Sequence, residues 1–280
     1  MTTFAIVGAG GMGAALAARL TAHGARVVTW LAGRSPASQA RAAAAGMEAI
    51  DEAGLGEAEL VLSVVPPDQA LPLAERLAPT LAAATRKPVY VDCNAVSPET
   101  SREIESAIAG HRTPFADAGI IGLPPQPDKP GPTIYVSGPF AGRVTALNAF
   151  GLKVTALQAE NGAASALKMS YAGITKGLIA LAATMALAAE RAGVAEALKA
   201  ELAHSQAPLA AGFARSIPDM LGKARRWVPE MKEISAFVGT SRPESGAYRA
   251  FAELYDAIAQ ADPATLAVLR SVYSNGKLAP

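Results

Sequence analysis

Residues 8–13 read Gly-Ala-Gly-Gly-Met-Gly, directly after an apolar run, Phe4–Val7, and at the start of an alanine-rich helical pattern, Met12–Leu20. Glycine at the first, third and sixth places is what a turn around a dinucleotide pyrophosphate needs. Gly8 permits the tight turn, Gly10 lets the backbone approach the phosphates, and Gly13 lets the helix pack close to the strand. Ala9, Gly11 and Met12 complete the expected contact, with free N–H groups at the positive end of the helix. The alternative is a glycine turn that binds nothing; the strand before it and the helix after it favour a dinucleotide.

A site for NAD usually places an acid at the end of the second strand, to hold the ribose 2′-hydroxyl. The run Thr29-Trp30-Leu31-Ala32-Gly33-Arg34-Ser35 carries none. Gly33, Arg34 and Ser35 read instead as a 2′-phosphate pocket, because a guanidinium pairs bidentately with phosphate and a hydroxyl donates to it. That predicts NADP rather than NAD. The alternative for Arg34 is a solvated loop residue.

A third candidate lies on a long helical pattern opening at Asn161. Lys168, Tyr171 and Thr175 fall at i, i+3 and i+7, one face of a helix, among small apolar residues. A lysine facing a partly dry cleft suits proton transfer near neutral pH, and Tyr171 is a further donor. The pattern leaves a second reading open, with Lys168 extended to solvent and Tyr171 packed in a core.

The elements that must position these residues alternate in the first half. Apolar runs at 4–7, 27–30, 60–64, 89–91 and 115–119 are separated by helical patterns at 12–20, 38–45, 69–84 and 98–109. This rhythm predicts βαβ units and a parallel sheet. Residues 123–132 hold five prolines and read as a loop, followed by strands at 133–137 and 153–157 with a helix between them, 140–150. Beyond Glu160 only helices are expected: one capped by Asn161 and running to Ala192, then 194–203, 208–221, 229–237, 243–259 and 263–272. The fold class is α/β then all-α: a doubly wound Rossmann sheet over 1–158, binding NADP, and an all-helical substrate and dimerisation domain over 159–280. A substrate cleft between two such domains is the usual arrangement.

Composition narrows the partners. Hydrophobic residues make up 51% and charged residues 18%, a globular balance, and 25 Lys+Arg against 24 Asp+Glu leave no basic excess for nucleic acid. The single cysteine, Cys93, excludes an internal disulfide and fits a reducing, cytoplasmic setting. Three scattered histidines show no metal-ligand spacing, so no metal is expected. The start, MTTFAIV, does not read as a signal peptide. The most apolar stretch, Gly177 to Ala189, is too short to span a bilayer. It reads as the middle of a buried helix packing against a second subunit.

With these motifs the chain resembles the β-hydroxyacid dehydrogenases, the superfamily of 3-hydroxyisobutyrate and 6-phosphogluconate dehydrogenases. GAGGMGAALAARL is similar to that family's opening G-x-G-x-M-G-x-x-x-A-x-x-L. Val64-Val65-Pro66 stands where the family touches cofactor, which assigns Val65 and Pro66. Residues 92–98, DCNAVSP, resemble D-x-S-T-V-S-P and bring in Asn94, and residues 131–138 resemble G-T-L-T-I-M-V-G-G. The lysine helix resembles G-x-G-x-x-x-K, which implies that Lys168 is the general acid/base. The substrate motif D-A-P-V-S-G-G appears as Asp117-Ala118-Gly119-Ile120-Ile121-Gly122-Leu123, with Ile121 in place of the carboxylate-holding serine. Ala172 replaces the family's asparagine; Tyr171 and Thr175 stand where the phosphogluconate branch has histidine and glutamate. Residues 223–233 resemble an uncharacterised branch with a distinctive C-terminal domain. Arg226 and Glu230 there read as an i,i+4 surface pair or as residues reaching the substrate.

The resemblance implies an NADP-dependent oxidoreductase acting on a small hydroxy or carbonyl compound. Lys168 moves the proton, Asn94 and Tyr171 position the oxygen, and Gly119, Ile120, Ile121, Gly122 and Thr175 line the substrate. It also implies a homodimer through the helical domain. Two other readings stay open: an imine reductase, favoured by Ile120-Ile121 and opposed by Lys168, and an NADPH-binding sensor without turnover.

Overall fold

The structure, a computed structural model, describes residues 1–127 and 129–273; residue 128 of the expected 123–132 loop lies outside the described residues. The chain divides into two compact units, Met1–Met169 and Ser170 onward.

The first unit runs β1 (Thr3–Val7), α1 (Gly11–Ala22), β2 (Arg26–Trp30), α2 (Pro36–Ala44), β3 (Glu48–Ile50), β4 (Leu60–Ser63), α3 (Pro67–Ala83), β5 (Val89–Asp92), α4 (Pro98–Ala109), β6 (Phe115–Ile121) and β7 (Thr133–Ser137). A short α5 (Ala141–Val144), a 3₁₀ segment (Thr145–Phe150), β8 (Lys153–Ala156) and the first turns of α6 (Ala163–Arg191) complete it. The sheet order is β3-β2-β1-β4-β5-β6-β7-β8, parallel except where β6 meets β7. Alternate residues of each strand feed two cores. Phe4, Ile6, Leu60, Leu62 and Val91 pack on one face, and Ala5, Val7, Val28, Val61 and Tyr90 on the other. A sheet buried on both faces needs near-continuous apolar strands, and these strands supply them.

Three helices start with one device, a polar cap followed by proline. Ser35 accepts the N–H of Ser38, Ser97 that of Thr100, and Asp262 that of Thr265, with Pro36, Pro98 and Pro263 at the first helical position. Long α6 departs from this. Asn161, its expected cap, turns away: its Oδ1 accepts the Asp117 N–H at 3.3 Å and its Nδ2 donates to Glu105 at 2.7 Å. The cap comes from the sheet instead. As a result the first turns of α6 belong to the sheet unit, and the division falls after Met169, not at the expected 158.

Strand β3 was not expected; it is three residues long, without apolar alternation, and exists by pairing with the edge of β2. The expected 140–150 helix breaks into α5 and the 3₁₀ segment.

The second unit contains the rest of α6 with α7 (Ala195–Ser205), α8 (Ala207–Leu221), α9 (Ala224–Val238), α10 (Ser245–Ala259) and α11 (Pro263–Ser271). Helix α9 starts one turn before the expected Pro229, which sits inside it. Tyr255 and Tyr273 donate to the main-chain carbonyls of Lys176 and Ala182 at 2.6 and 2.9 Å, tying α10 and the end of the described chain to α6. The 177–189 stretch proves part of a 29-residue helix with a mean hydropathy of 1.6 over its most apolar window. Its length and composition therefore meet the criterion for a membrane span, as core helices also do.

Candidate active site

The parallel strands put the predicted residues in rows. Val7, Ser63, Asp92 and Asp117 stand side by side across β1, β4, β5 and β6. Two residues on, at the carboxyl ends, come Ala9, Val65, Asn94 and Gly119. This is the edge of an open α/β sheet where ligands bind.

The glycine turn has the geometry its spacing predicts. Gly8 has φ +116°, and a Cβ on it would lie 2.1 Å from the Val64 carbonyl oxygen. A Cβ on Gly13 would lie 2.0 Å from the Gly8 oxygen. Gly10 and Gly11 face open space, with nothing within 4 Å. Helix α1 has no side-chain cap and no acid in its first turn, so its leading N–H groups and positive dipole end face outward. These features fit a pyrophosphate.

Around α2 the predicted Arg34 and Ser35 gain two neighbours. The Ser35 hydroxyl donates to Ser38 Oγ at 3.1 Å. Arg41, which no motif in the sequence marks, donates from Nε to the Ala9 carbonyl at 2.9 Å and from Nη2 to Ser38 Oγ at 3.0 Å. Helix α2 is thus fastened to the glycine turn, with the Arg41 guanidinium and the hydroxyls of Ser35 and Ser38 joined at its first turns. A basic residue seven places after Arg34 is a signal only if the start of α2 is known.

Asn94, expected to position a substrate oxygen, is 3% exposed. Its Oδ1 accepts the Val65 N–H at 2.7 Å, and its Nδ2 donates to Ser63 Oγ at 2.9 Å and to Asp92. It spends both amide hydrogens inside the unit and fixes the Val65-Pro66 turn expected to touch cofactor. Neighbouring Cys93 is buried; burial first, then the charges of Asp92 and Asp117, raises its thiol well above the ordinary range. It therefore stays protonated and is no nucleophile.

Gly119 lies against the lysine helix: a Cβ there would stand 2.7 Å from the Ala164 oxygen and 3.0 Å from Lys168 Cβ. Lys168 itself is half-buried. Ile120 points to the other face and belongs to the core, which removes it from the predicted substrate set. Ile121 is half-buried on the face of Gly119, and Gly122, at φ +131°, turns the chain into the proline-rich loop. Arg19 of α1 pins that loop, donating to the carbonyls of Gln126 and Lys129 at 2.6 and 3.2 Å.

In the second unit, Tyr171 is 48% exposed. Thr175 is half-buried and donates to the Tyr171 carbonyl at 2.9 Å. Arg226 is exposed, and Glu230 is buried and paired with Lys176, so the expected Arg226–Glu230 surface pair does not form. The Lys176 ammonium also lies 5.2 Å from the centre of the Trp227 ring. A cavity of about 620 Å³ between α9 and α10, lined by Val228, Lys232, Ala252 and Asp256 among others, contains none of the predicted residues.

Residues 3–157 match the family described as the NAD binding domain of 6-phosphogluconate dehydrogenase, and residues 189–258 match a domain of unknown function, DUF1932. The chain is 31% identical to MTH1747, a conserved protein of unknown function with structural similarity to 3-hydroxyacid dehydrogenases. That alignment covers 91% of this chain and 97% of the other, at a TM-score of 0.68. A 3-hydroxyisobutyrate dehydrogenase of Mycobacterium tuberculosis shares the fold at 20% identity, covering 98% and 100%, with a TM-score of 0.68. An imine reductase from Myxococcus stipitatus, in complex with NADP+, also shares it, at 20% identity, covering 95% and 98%, with a TM-score of 0.56. The chain belongs to the family of the NAD binding domain of 6-phosphogluconate dehydrogenase.

Proposed function

We propose that this member of the 6-phosphogluconate-dehydrogenase-like family is an NADP-dependent oxidoreductase that interconverts a small carbonyl compound and its alcohol, with Lys168 carrying the proton. The observation that carries the reading is the row Ala9, Val65, Asn94, Gly119, with Lys168 packed on Gly119. It puts a lysine and the glycine turn at one edge of one sheet. The glycine turn and the ends of these strands would hold a reduced nicotinamide cofactor, whose chemistry would be to supply hydride to the carbonyl carbon. The Lys168 ammonium gives its proton to the carbonyl oxygen, and the alcohol leaves; in the reverse direction the neutral amine takes that proton. The glycine turn with the α1 N-terminus holds the pyrophosphate. Arg34, Ser35, Ser38 and Arg41 hold the 2′-phosphate, and the absence of an acid at the end of β2 favours NADP over NAD.

Ile121 favours a second reading, imine reduction. It stands on the Gly119 face of β6 where the resemblance places a carboxylate-holding serine, and an apolar wall suits an uncharged C=N substrate. The test is NADPH oxidation across aldehydes, keto acids, sugar acids and cyclic imines, with NADH in parallel. Turnover on carbonyls that prefers NADPH is expected. Turnover on imines alone supports the second reading, and tight NADPH binding with no turnover on any compound overturns both in favour of a sensor.

The active form is a homodimer in this proposal. Leu167, Tyr171, Ile174, Leu178, Leu181 and Met185 of α6 are 36–64% exposed and spaced 4-3-4-3-4, a straight apolar seam. The spacing is palindromic about position 176, so a two-fold axis there sets Leu167 against Met185, Tyr171 against Leu181 and Ile174 against Leu178. This gives Tyr171 an interface role in place of a catalytic one. Hiding both seams buries on the order of 1,000 Å², the threshold of a specific interface. Light scattering should give a dimer that Leu178→Glu converts to monomer; a monomeric wild type, or binding of the seam to lipid vesicles, refutes it.

A further inference from the structure

Asp117 opens the segment that resembles a substrate-gripping motif, yet it is fully buried and reaches no substrate. Its Oδ1 accepts the hydroxyls of Ser101 at 3.1 Å and Ser165 at 2.6 Å. Its Oδ2 accepts the Ser137 hydroxyl at 2.8 Å and the backbone N–H groups of Gly162 at 2.9 Å and Ser165 at 3.0 Å. Ser137 in turn accepts the Ala164 N–H at 3.1 Å. We propose that Asp117 is the positioning residue for Lys168: a buried carboxylate on β6 that clamps the first turn of α6 and thereby fixes where the lysine stands. The proposal rests on the reading of Lys168 as proton carrier.

Three observations carry it. First, the cap is remote. A helix normally satisfies its leading N–H groups with a side chain just before it, and Asn161 is available in sequence but used elsewhere. A local cap fixes the helix to itself; a cap from a strand fixes the helix to the sheet. Second, the same strand touches the helix again two residues on, where Gly119 admits Ala164 and Lys168. Asp117 and Gly119 lie on one face of β6, so the strand grips α6 at its first turn and again at the turn bearing the lysine. Third, the lever is short. Lys168 follows Ser165 by three residues, about 4.5 Å of helix rise. A shift of the first turn passes undiminished to the lysine. A buried carboxylate is costly unless every oxygen is occupied, and here both are, by groups of α4, β7 and α6 as well as the negative-charge preference of a helix N-terminus.

The test uses the full-length protein carrying Asp117→Asn, which is isosteric. It keeps one oxygen for the N–H groups and turns the other position into a donor to the hydroxyls. Two readouts separate positioning from mere structure. One is the rate at which pyridoxal 5′-phosphate with borohydride labels Lys168, by peptide mass spectrometry, against exposed Lys153 of the same unit. The variant should change the Lys168 rate severalfold and leave Lys153 alone, while Leu77→Ala, which loosens the core without removing any group bonded to Asp117, should leave both unchanged. The other is a double-mutant cycle on whichever compound is turned over. Asp117→Asn should lower kcat about 10- to 100-fold with NADPH binding retained, and should cost nothing further in a Lys168→Ala background. Equal losses in both backgrounds, or an unchanged Lys168 labelling rate, overturn the proposal. If Asp117→Asn fails to fold, Ser137→Ala, which removes only the Ala164 N–H acceptor and one donor to Asp117, must change the Lys168 labelling rate and leave Lys153 alone; an unchanged Lys168 rate overturns the proposal. Absence of turnover in the wild type defeats the Lys168 reading, while the labelling arm still decides whether Asp117 places the lysine.

Discussion

Replacing Gly13 by alanine asks whether the glycine turn is built by close approach or by backbone freedom. Gly13 is an ordinary helical residue of α1 without a positive φ. Helix propensity alone makes the substitution favourable by about 1 kcal/mol. The structure puts the new methyl 2.0 Å from the Gly8 carbonyl oxygen, with the Gly8 carbonyl carbon at 3.2 Å and a methyl of Ile6 at 3.4 Å. Backbone has to move by more than 1 Å to restore contact. Overpacking of this kind costs about 1–3 kcal/mol, which cancels the propensity gain at its low end and leaves a net loss of about 2 kcal/mol at its high end, where a backbone-to-methyl clash belongs. At about 2–4 °C per kcal/mol, the melting temperature of the cofactor-free protein should fall by several degrees. Calorimetric NADPH affinity should weaken as well, because the turn that holds the pyrophosphate is displaced. Gly11→Ala, with nothing within 4 Å, is the control and should leave the melt unchanged or raised. A Gly13→Ala protein that melts higher, or that binds NADPH as the wild type does, refutes the close-packed turn.

Arg34→Ala removes a charge-assisted contact of about 1.5–3 kcal/mol, so the NADPH Kd should rise about 10- to 100-fold while the NADH Kd stays constant; isothermal titration of both cofactors checks this. Lys176→Ala leaves Glu230 buried without its partner, which should cost about 3–5 kcal/mol in a thermal or denaturant melt, whereas Lys176→Met with Glu230→Leu should recover most of it. The Cys93 thiol, raised by burial, should ignore a thiol reagent at pH 8 until the chain unfolds. Because its ionisation is favoured only in the unfolded chain, its contribution to stability is present below, and lost as pH rises through, the free-thiol value near 8.5; Cys93→Ala should flatten that alkaline limb.

Much of the first unit was legible in the sequence because buried parallel strands and capped helices write themselves in local patterns. The runs at 4–7, 27–30 and 60–64 were strong enough to place β1, β2 and β4. The glycine spacing named a turn whose close contacts the structure contains. What was not legible depends on residues far apart in the chain. Asp117 read as the first letter of a substrate motif, and only the fold brings Ser101, Ser137, Gly162 and Ser165 to it. Asn161 had the right type and place for a cap, and lost that role to a strand 44 residues earlier. Glu230 had a partner at i−4 by spacing, but the helix turns it inward to Lys176. Ile120 and Ile121 looked alike in sequence, and the pleat of β6 sends one to the core and leaves the other beside Gly119.

The most direct measurement follows deuterium from C4-deuterated NADPH into product, with wild type and Lys168→Ala run on the same carbonyl compound. The label should appear on the former carbonyl carbon, the variant should transfer it about 10²–10⁴-fold more slowly, and the variant should bind NADPH as the wild type does. Equal rates of transfer in the two proteins, or no transfer by the wild type to any carbonyl compound, contradict the proposed function.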